Sequence, residues 1–292
     1  MQAANRKEYS VTINIFIFLT LICIVGITRI VVIQVTSTNR FESIDLIDEV
    51  KYDANADMTA TILKIKNTLE KYYGINIYYG ELLNEVTSQI NANVLYDERA
   101  TLNMLQNINS ELAKYPKGMI DEIQRSGYKV SIYLVRNFNN NNIALANRTS
   151  SGNFNIFLSN DPDFAKSMHH EFYHIIEYYI KLEYDIDTVY ELWNIYNPKN
   201  FKYTNSIQNI TNKYVYGLDS DNDLCFVTLY SKFSAQEDRA EVFSEMMTSK
   251  EEYTKNKKAK NIINKMNVIT TTLRTIFASV GEKEYWQRYE GD

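Results

Sequence analysis

The chain has 292 residues, 45% of them hydrophobic, enough for one large or two small packed domains and too many for a disordered polymer. A formal net charge of -5 and a pI near 5.4, with no basic face, argue against a nucleic-acid binder. With Cys23 and Cys225 as the only cysteines, a disulfide framework and a cysteine-built zinc site are both disfavoured.

Residues 13–35 (INIFIFLTLICIVGITRIVVIQV) are apolar apart from Asn14, Thr20, Thr28, Arg29 and Gln34. At about 1.5 Å per residue they reach across a hydrocarbon core of roughly 30 Å. Arg6 and Lys7 precede them, so the positive-inside rule leaves residues 1–12 in the cytoplasm and sets the rest of a single-pass protein of the cell membrane outside the cell. A cleaved signal peptide, with 15–27 as its apolar core and Val35-Thr36-Ser37 as its cleavage site, is the competing reading and predicts a secreted protein. Residues 36–58 are polar and acidic and read as a tether, and 59–292 as the folded domain.

Within that domain, Ile62, Leu63, Ile65, Leu69 and Tyr73 recur at helical spacing over 59–73, and Gly74 stops the helix. Residues 75–79 (INIYY) read as a strand, 81–114 as one or two helices, and 116–127 as a helix with proline in its first turn and glycine past its end. In 128–135 (YKVSIYLV) Val130, Ile132 and Leu134 alternate with polar neighbours, the mark of a strand. An asparagine loop follows at 137–142, then short strands at 143–147 and 155–159, and a helix over 161–180. Beyond Asp185 the pattern reads as mostly helical, ending in a helix over 269–289. The expected class is α+β.

All three histidines, His169, His170 and His174, fall within six consecutive positions. His170-Glu171-Phe172-Tyr173-His174 is HExxH, which sets two imidazoles at i and i+4 on one helical face, within reach of a single ion. Zinc accepts neutral nitrogen donors and, in catalytic sites, takes three protein ligands with one position left for water. Glu171 would then be the general base acting on that water. His169 lies off the ligand face and is expected to bond supporting groups or pack at the rim. Glu177 shares the face but lies about 10.5 Å along the axis from His170, so it reads as a supporting carboxylate or a solvated residue.

A third ligand is expected from 233–247 (FSAQEDRAEVFSEMM), where Ser234 can cap a helix and Glu237, Glu241 and Glu245 form a ridge at i, i+4 and i+8. Like charges in a row between apolar residues favour a cation, and Glu241 as ligand, with Glu237 or Glu245 supporting a histidine N–H, is the economical arrangement. Asp219 to Asp223 alternate acidic residues as calcium loops do but lack that loop's glycine and final glutamate, so they read as a polar surface loop.

HHEFYH followed by EDRAEVFSEM resembles the gluzincin type of zinc metallopeptidase. Within that type the chain is most similar to bacterial zinc-binding metallopeptidases, and more distantly to the catalytic domain of anthrax lethal factor and to secreted Pro-Pro endopeptidases. The order of ELAKYPKGMIDEI, a strand and NIFLSNDPDFAKSMHHEFYH agrees with them, so the resemblance runs over about 62–247. It implies a zincin-like fold, bound Zn2+, ligands His170, His174 and Glu241, and Glu171 as base. It also implies a tyrosine that stabilises the oxyanion, for which Tyr230 is the candidate, although the lethal-factor spacing counted from Glu241 points to Ser234.

The reading is therefore a membrane-anchored zinc metalloendopeptidase that cleaves proteins or peptides outside the cell. The alternative is a non-catalytic surface module with a structural or vestigial zinc site.

Overall fold

The computed structural model describes residues 57–80, 89–140, 142–220, 223–249 and 257–287. The expected cytoplasmic N-terminus (1–12), anchor (13–35) and nearly all of the tether (36–58) lie outside these residues. Among the described residues no helix is long and apolar enough to cross a membrane.

Helix α1 (Met58–Tyr73) is capped by the Asp57 side chain and ends at Gly74, whose φ of 70° is the left-handed conformation glycine adopts without steric cost. Strands β1 (Asn76–Tyr78) and β2 (Ala92–Val94) precede helix α2 (Glu98–Leu112), which Asp97 caps through the backbone N–H of Ala100. The expected helical run over 81–114 is thus replaced in part by β2. The asparagine-rich chain turns through Asn91 at φ 55° and joins the sheet instead. Helix α3 (Lys117–Arg125), strands β3 (Lys129–Phe138), β4 (Ala144–Arg148) and β5 (Asn153–Ser159), and the long helix α4 (Phe164–Glu183) follow.

The sheet has the order β1-β3-β5-β4, with β2 pairing antiparallel to the far end of β3. β1, β3 and β5 are parallel; β4 runs antiparallel to β5 and forms the sheet's edge. Val130, Ile132 and Leu134 of β3 and Phe154, Ile156 and Leu158 of β5 are fully buried against the helices, as period-two alternation requires. Val135, Phe138 and Phe157 lie in a second small cluster, where the Tyr78, Tyr133 and Phe157 rings stack at 4.8 and 4.7 Å.

Helix α4 lies across β4 and β5 and buries Met168, Phe172, Ile175, Ile176 and Ile180 in the main core. After the short helix α5 (Ile186–Val189), the chain up to 229 departs from the helical expectation. Among its described residues it holds only single turns, at Trp193–Tyr196 and Ile207–Asn209, and positive φ angles at Asn200, Asn205 and Tyr214. Helical order resumes with the turn Tyr230–Lys232, helix α6 (Ala235–Thr248) and helix α7 (Lys260–Ile276). The expected final helix over 269–289 is shifted: α7 begins nine residues earlier and ends before Phe277, leaving one turn at Tyr285–Gln287 that inserts Trp286 into the core. These elements make an α+β fold with α4 sandwiched between the sheet and α6.

Candidate metal centre

Helices α4 and α6 build the centre between them. The side chain of Ser234 accepts from the backbone N–H of Glu237 at 3.1 Å and so starts α6 in register, with Glu237 one turn in and facing α4. On α4 the i, i+4 spacing brings the His170 and His174 rings to a centroid distance of 4.8 Å, edge to face. Their Nε2 atoms are 3.1 Å apart. Glu237 Oε2 lies 3.0 Å from His170 Nε2 and 3.4 Å from His174 Nε2. A triangle of two imidazole nitrogens and a carboxylate oxygen with these edges matches donors about 2.0–2.2 Å from one shared zinc ion.

The other ring nitrogens support that reading. His170 Nδ1 is buried without a well-aligned hydrogen bond, yet it stands 2.8 Å from Glu241 Oε1. A proton on Nδ1 directed at Glu241 leaves Nε2 with its lone pair toward the triangle, the tautomer a metal requires. Glu241 also accepts from Thr228 Oγ1 at 2.8 Å, which orients its carboxylate. The donor set therefore fits a zinc ion.

The structure brings His170, His174 and Glu237 together and sets Glu241, the ligand expected from the sequence, behind His170. From the sequence, Glu237 is expected only to support a histidine N–H. Its signal lay in the same ridge, because Glu237 and Glu241 are one helical turn apart and share that side of α6.

Glu171 is nearly buried, between the histidines and β4, and takes a backbone hydrogen bond from Ala146. Burial, aided by Glu237, raises its carboxyl above the usual carboxylate range. The Tyr230 ring lies 6.1 Å from that of His170, centroid to centroid. Its phenol is pushed up by burial and by Glu237, Glu171 and Glu241, so it remains a proton-bearing donor at neutral pH.

Without a metal, burial opposes the charge on both imidazoles, but the surrounding carboxylates override it. Glu237 and Glu241 hold His170 at about 9, and Glu177 and Glu237 hold His174 at about 10. In return, the two imidazoles outweigh the burial of Glu237 and hold it at about 2.

His169 points the other way and is wholly buried, not at the rim. Its Nε2 meets Glu111 Oε2 at 2.6 Å and its Nδ1 meets the Tyr115 hydroxyl at 2.7 Å, tying α4 to α2. Glu177 is buried as well and pairs with Arg239 of α6.

A cleft of about 700 Å³ opens over the triangle. Residues 142–146, on and just before edge strand β4, form one wall, α4 the floor, and Tyr230, Gln236, Glu237 and Glu241 the opposite wall. Edge strand β4 and the His170, His174 and Glu237 cluster thus line the same cleft.

A family profile described as "Putative zinc-binding metallo-peptidase" matches residues 106–282. Among solved structures the chain is similar to a crystal structure of the same description from Bacteroides caccae. That likeness has 16% sequence identity over 83% of this chain and 98% of the other, with a TM-score of 0.45. No curated protein matches the chain.

Proposed function

Since the chain belongs to this family of zinc-binding metallo-peptidases, we propose that it is a zinc endopeptidase of the gluzincin type acting on protein or peptide substrates. The observation that carries the proposal is the convergence of His170 Nε2, His174 Nε2 and Glu237 Oε2 beside the nearly buried carboxyl of Glu171. In this reading His170, His174 and Glu237 hold the ion, and Glu241 keeps His170 in the correct tautomer. Zinc bound there supplies Lewis-acid polarisation of the scissile carbonyl and of the attacking water.

Each remaining task falls to a residue of the chain. The outer edge of β4, apart from the Ala146 N–H that Glu171 already accepts, aligns an extended substrate by main-chain hydrogen bonds, which is how a sheet edge recruits a peptide without regard to most side chains. Glu171 takes a proton from the water as the new C–O bond forms, and returns it to the departing amine as the amide C–N bond breaks and the carbonyl re-forms. The raised affinity of Glu171 for protons favours the abstraction step. Tyr230 donates its hydroxyl proton to the oxygen on which charge develops. A purely structural zinc site has no need of Glu171 or Tyr230.

We further propose that residues 13–35 anchor the protein in the cell membrane, with the peptidase domain outside. The length and apolarity of the segment behind Arg6 and Lys7 support this. Membrane fractionation of the full chain, with protease added to intact cells, tests it: the protein should pellet with membranes and its domain should be digested.

The decisive enzymatic experiment compares the wild type with Glu171→Gln and Tyr230→Phe on a mixed peptide library, with zinc content measured in each. One zinc per chain is expected in all three. Cleavage should fall about 10²–10⁴-fold in Glu171→Gln and about 10²–10³-fold in Tyr230→Phe. Zinc in every protein with no cleavage by the wild type would instead favour the non-catalytic module.

A further inference from the structure

The EDRAE segment presents two faces. Glu237 and Glu241 turn toward the histidines, whereas Asp238 and Arg239, between them, turn inward and are buried. Asp238 Oδ2 accepts from Trp193 Nε1 at 3.0 Å, from the Tyr203 hydroxyl at 2.8 Å and from Lys265 Nζ at 2.6 Å. Arg239 lies with its guanidinium 4.3 Å from the Tyr190 ring centroid and pairs through Nε with Glu177 Oε1. A guanidinium stacked on an aromatic face and paired at its edge has little freedom left.

Glu177 is 2% exposed, and only one of its oxygens is used by Arg239. The other, Oε2, is buried without a hydrogen bond and faces His174 Nδ1 at 3.9 Å. Among the described residues no other carboxylate comes within 4 Å of that nitrogen. A negative oxygen on this side favours the tautomer that carries its proton on Nδ1 and leaves Nε2 free. His174 is thereby given what Glu241 gives His170, but by a residue of its own helix whose direction is set from α6.

We propose that Arg239 is a positioning residue for the metal: by holding Glu177 Oε1 it aims Oε2 at His174 Nδ1 and fixes the ligand tautomer of His174. The inference rests on the zinc-site reading above. It gives Arg239 a part that a simple tie between helices lacks, because the same ion pair that sets the spacing of α4 and α6 also sets the proton on a ligand.

The test uses the full chain and zinc alone as the probe. Zinc affinity, by competition with a chromophoric chelator, and the melting temperature of the metal-free protein are measured for Glu177→Gln, Arg239→Gln and the double variant. With only three histidines, ring-nitrogen NMR of the zinc-loaded proteins reports the His174 tautomer directly. The expected result is a loss of zinc affinity of about 10–100-fold in Glu177→Gln and in Arg239→Gln, with loss of the single-tautomer His174 signal. Arg239→Gln also strands a buried carboxylate and should melt lower, and the double variant should regain stability without regaining affinity. If Arg239→Gln does not fold, Glu177→Gln and the double variant decide.

Wild-type zinc affinity in folded Glu177→Gln, or in the double variant, overturns the proposal. His174→Ala separates this from failure of the site itself. Zinc bound by the wild type and lost in His174→Ala upholds the site whatever Glu177 does. Undiminished zinc in His174→Ala sinks the site.

Discussion

Among individual residues, the choice of third ligand separates Glu237 from Glu241. Removing a ligand differs from removing the carboxylate behind one. Glu241→Ala should weaken zinc binding about 10–100-fold, and Glu237→Ala should weaken it well beyond that, both measured by chelator competition. The reverse order would make Glu241 the ligand. His170, Glu171 and His174 were legible in the sequence because i, i+4 is a local relation within one helix. The carboxylate of α6 that meets them was not, since Glu237, Glu241 and Glu245 drift by only about 40° per step around a helix of 3.6 residues per turn. Which of the three meets the histidines depends on how α6 slides along α4, a tertiary quantity.

Protons compete for the same nitrogens. In the metal-free protein His170 stands at about 9 and His174 at about 10, above an unperturbed value near 6.5. Zinc must displace both protons, so its affinity should climb with pH by up to about 100-fold per unit below 9 and level off above 10. Competition titrations across pH 6 to 10 check the slope; a flat profile would place the ion elsewhere. Because the folded values are raised, the stability this charged cluster contributes to the metal-free protein is complete below about 6.5 and is lost as pH rises through 9 to 10. Glu237, held at about 2, contributes above its ordinary carboxylate range and fails as pH falls toward 2. Melting in the presence of a chelator should therefore be highest between roughly pH 4.5 and 6.5 as far as this cluster decides it.

For single elements, the start of α6 matters more than its length. Ser234 caps the helix at Glu237 N–H, and the same residue, Glu237, carries the metal-facing carboxylate. Ser234→Ala should cost about 1 kcal/mol of stability, read by denaturant unfolding, and should also weaken zinc binding; an unchanged zinc affinity would show that packing alone sets the register. Helices α1, α3 and α4 and strands β3 to β5 were legible because helical and period-two spacing act over a few residues, although α3 and α4 begin without side-chain caps, at Lys117 behind Pro116 and at Phe164 behind Asp163. Strand β2 was hidden because Ala92–Val94 has no alternation of its own and is a strand only through pairing with β3. Between 190 and 229 the chain reads as mostly helical, with Tyr190, Trp193 and Tyr196 three residues apart. There Trp193 and Tyr203 instead give their polar ends to Asp238, and the backbone follows that buried carboxylate.

For the molecule as a whole, the sheet and α1 to α4 form one continuous apolar core with α6 and α7, from Ile62 to Trp286. Truncating Phe172, buried between Tyr115 and the sheet, should cost about 3–5 kcal/mol. His170, His174 and Glu237 sit at the margin of this core, on the two helices that line the cleft among the described residues. Burial alone therefore does not require those helices to meet in one register.

The stretch between those helices has a different consequence. His174 and Glu237 enclose 62 residues, most of them in irregular chain, so an ion held by both is a reversible cross-link that closes a long loop. The ends of such a loop are costly to bring together and cheap to keep together once joined, so the ion should act as a latch on 185–229 more than as cement for the sheet. Brief protease treatment after chelation should cut first within 185–229 and leave the fragment bearing β3 and β5 intact, and added zinc should suppress the cut. Such a protein would be guarded against digestion, including by its own copies, only while charged with its cofactor.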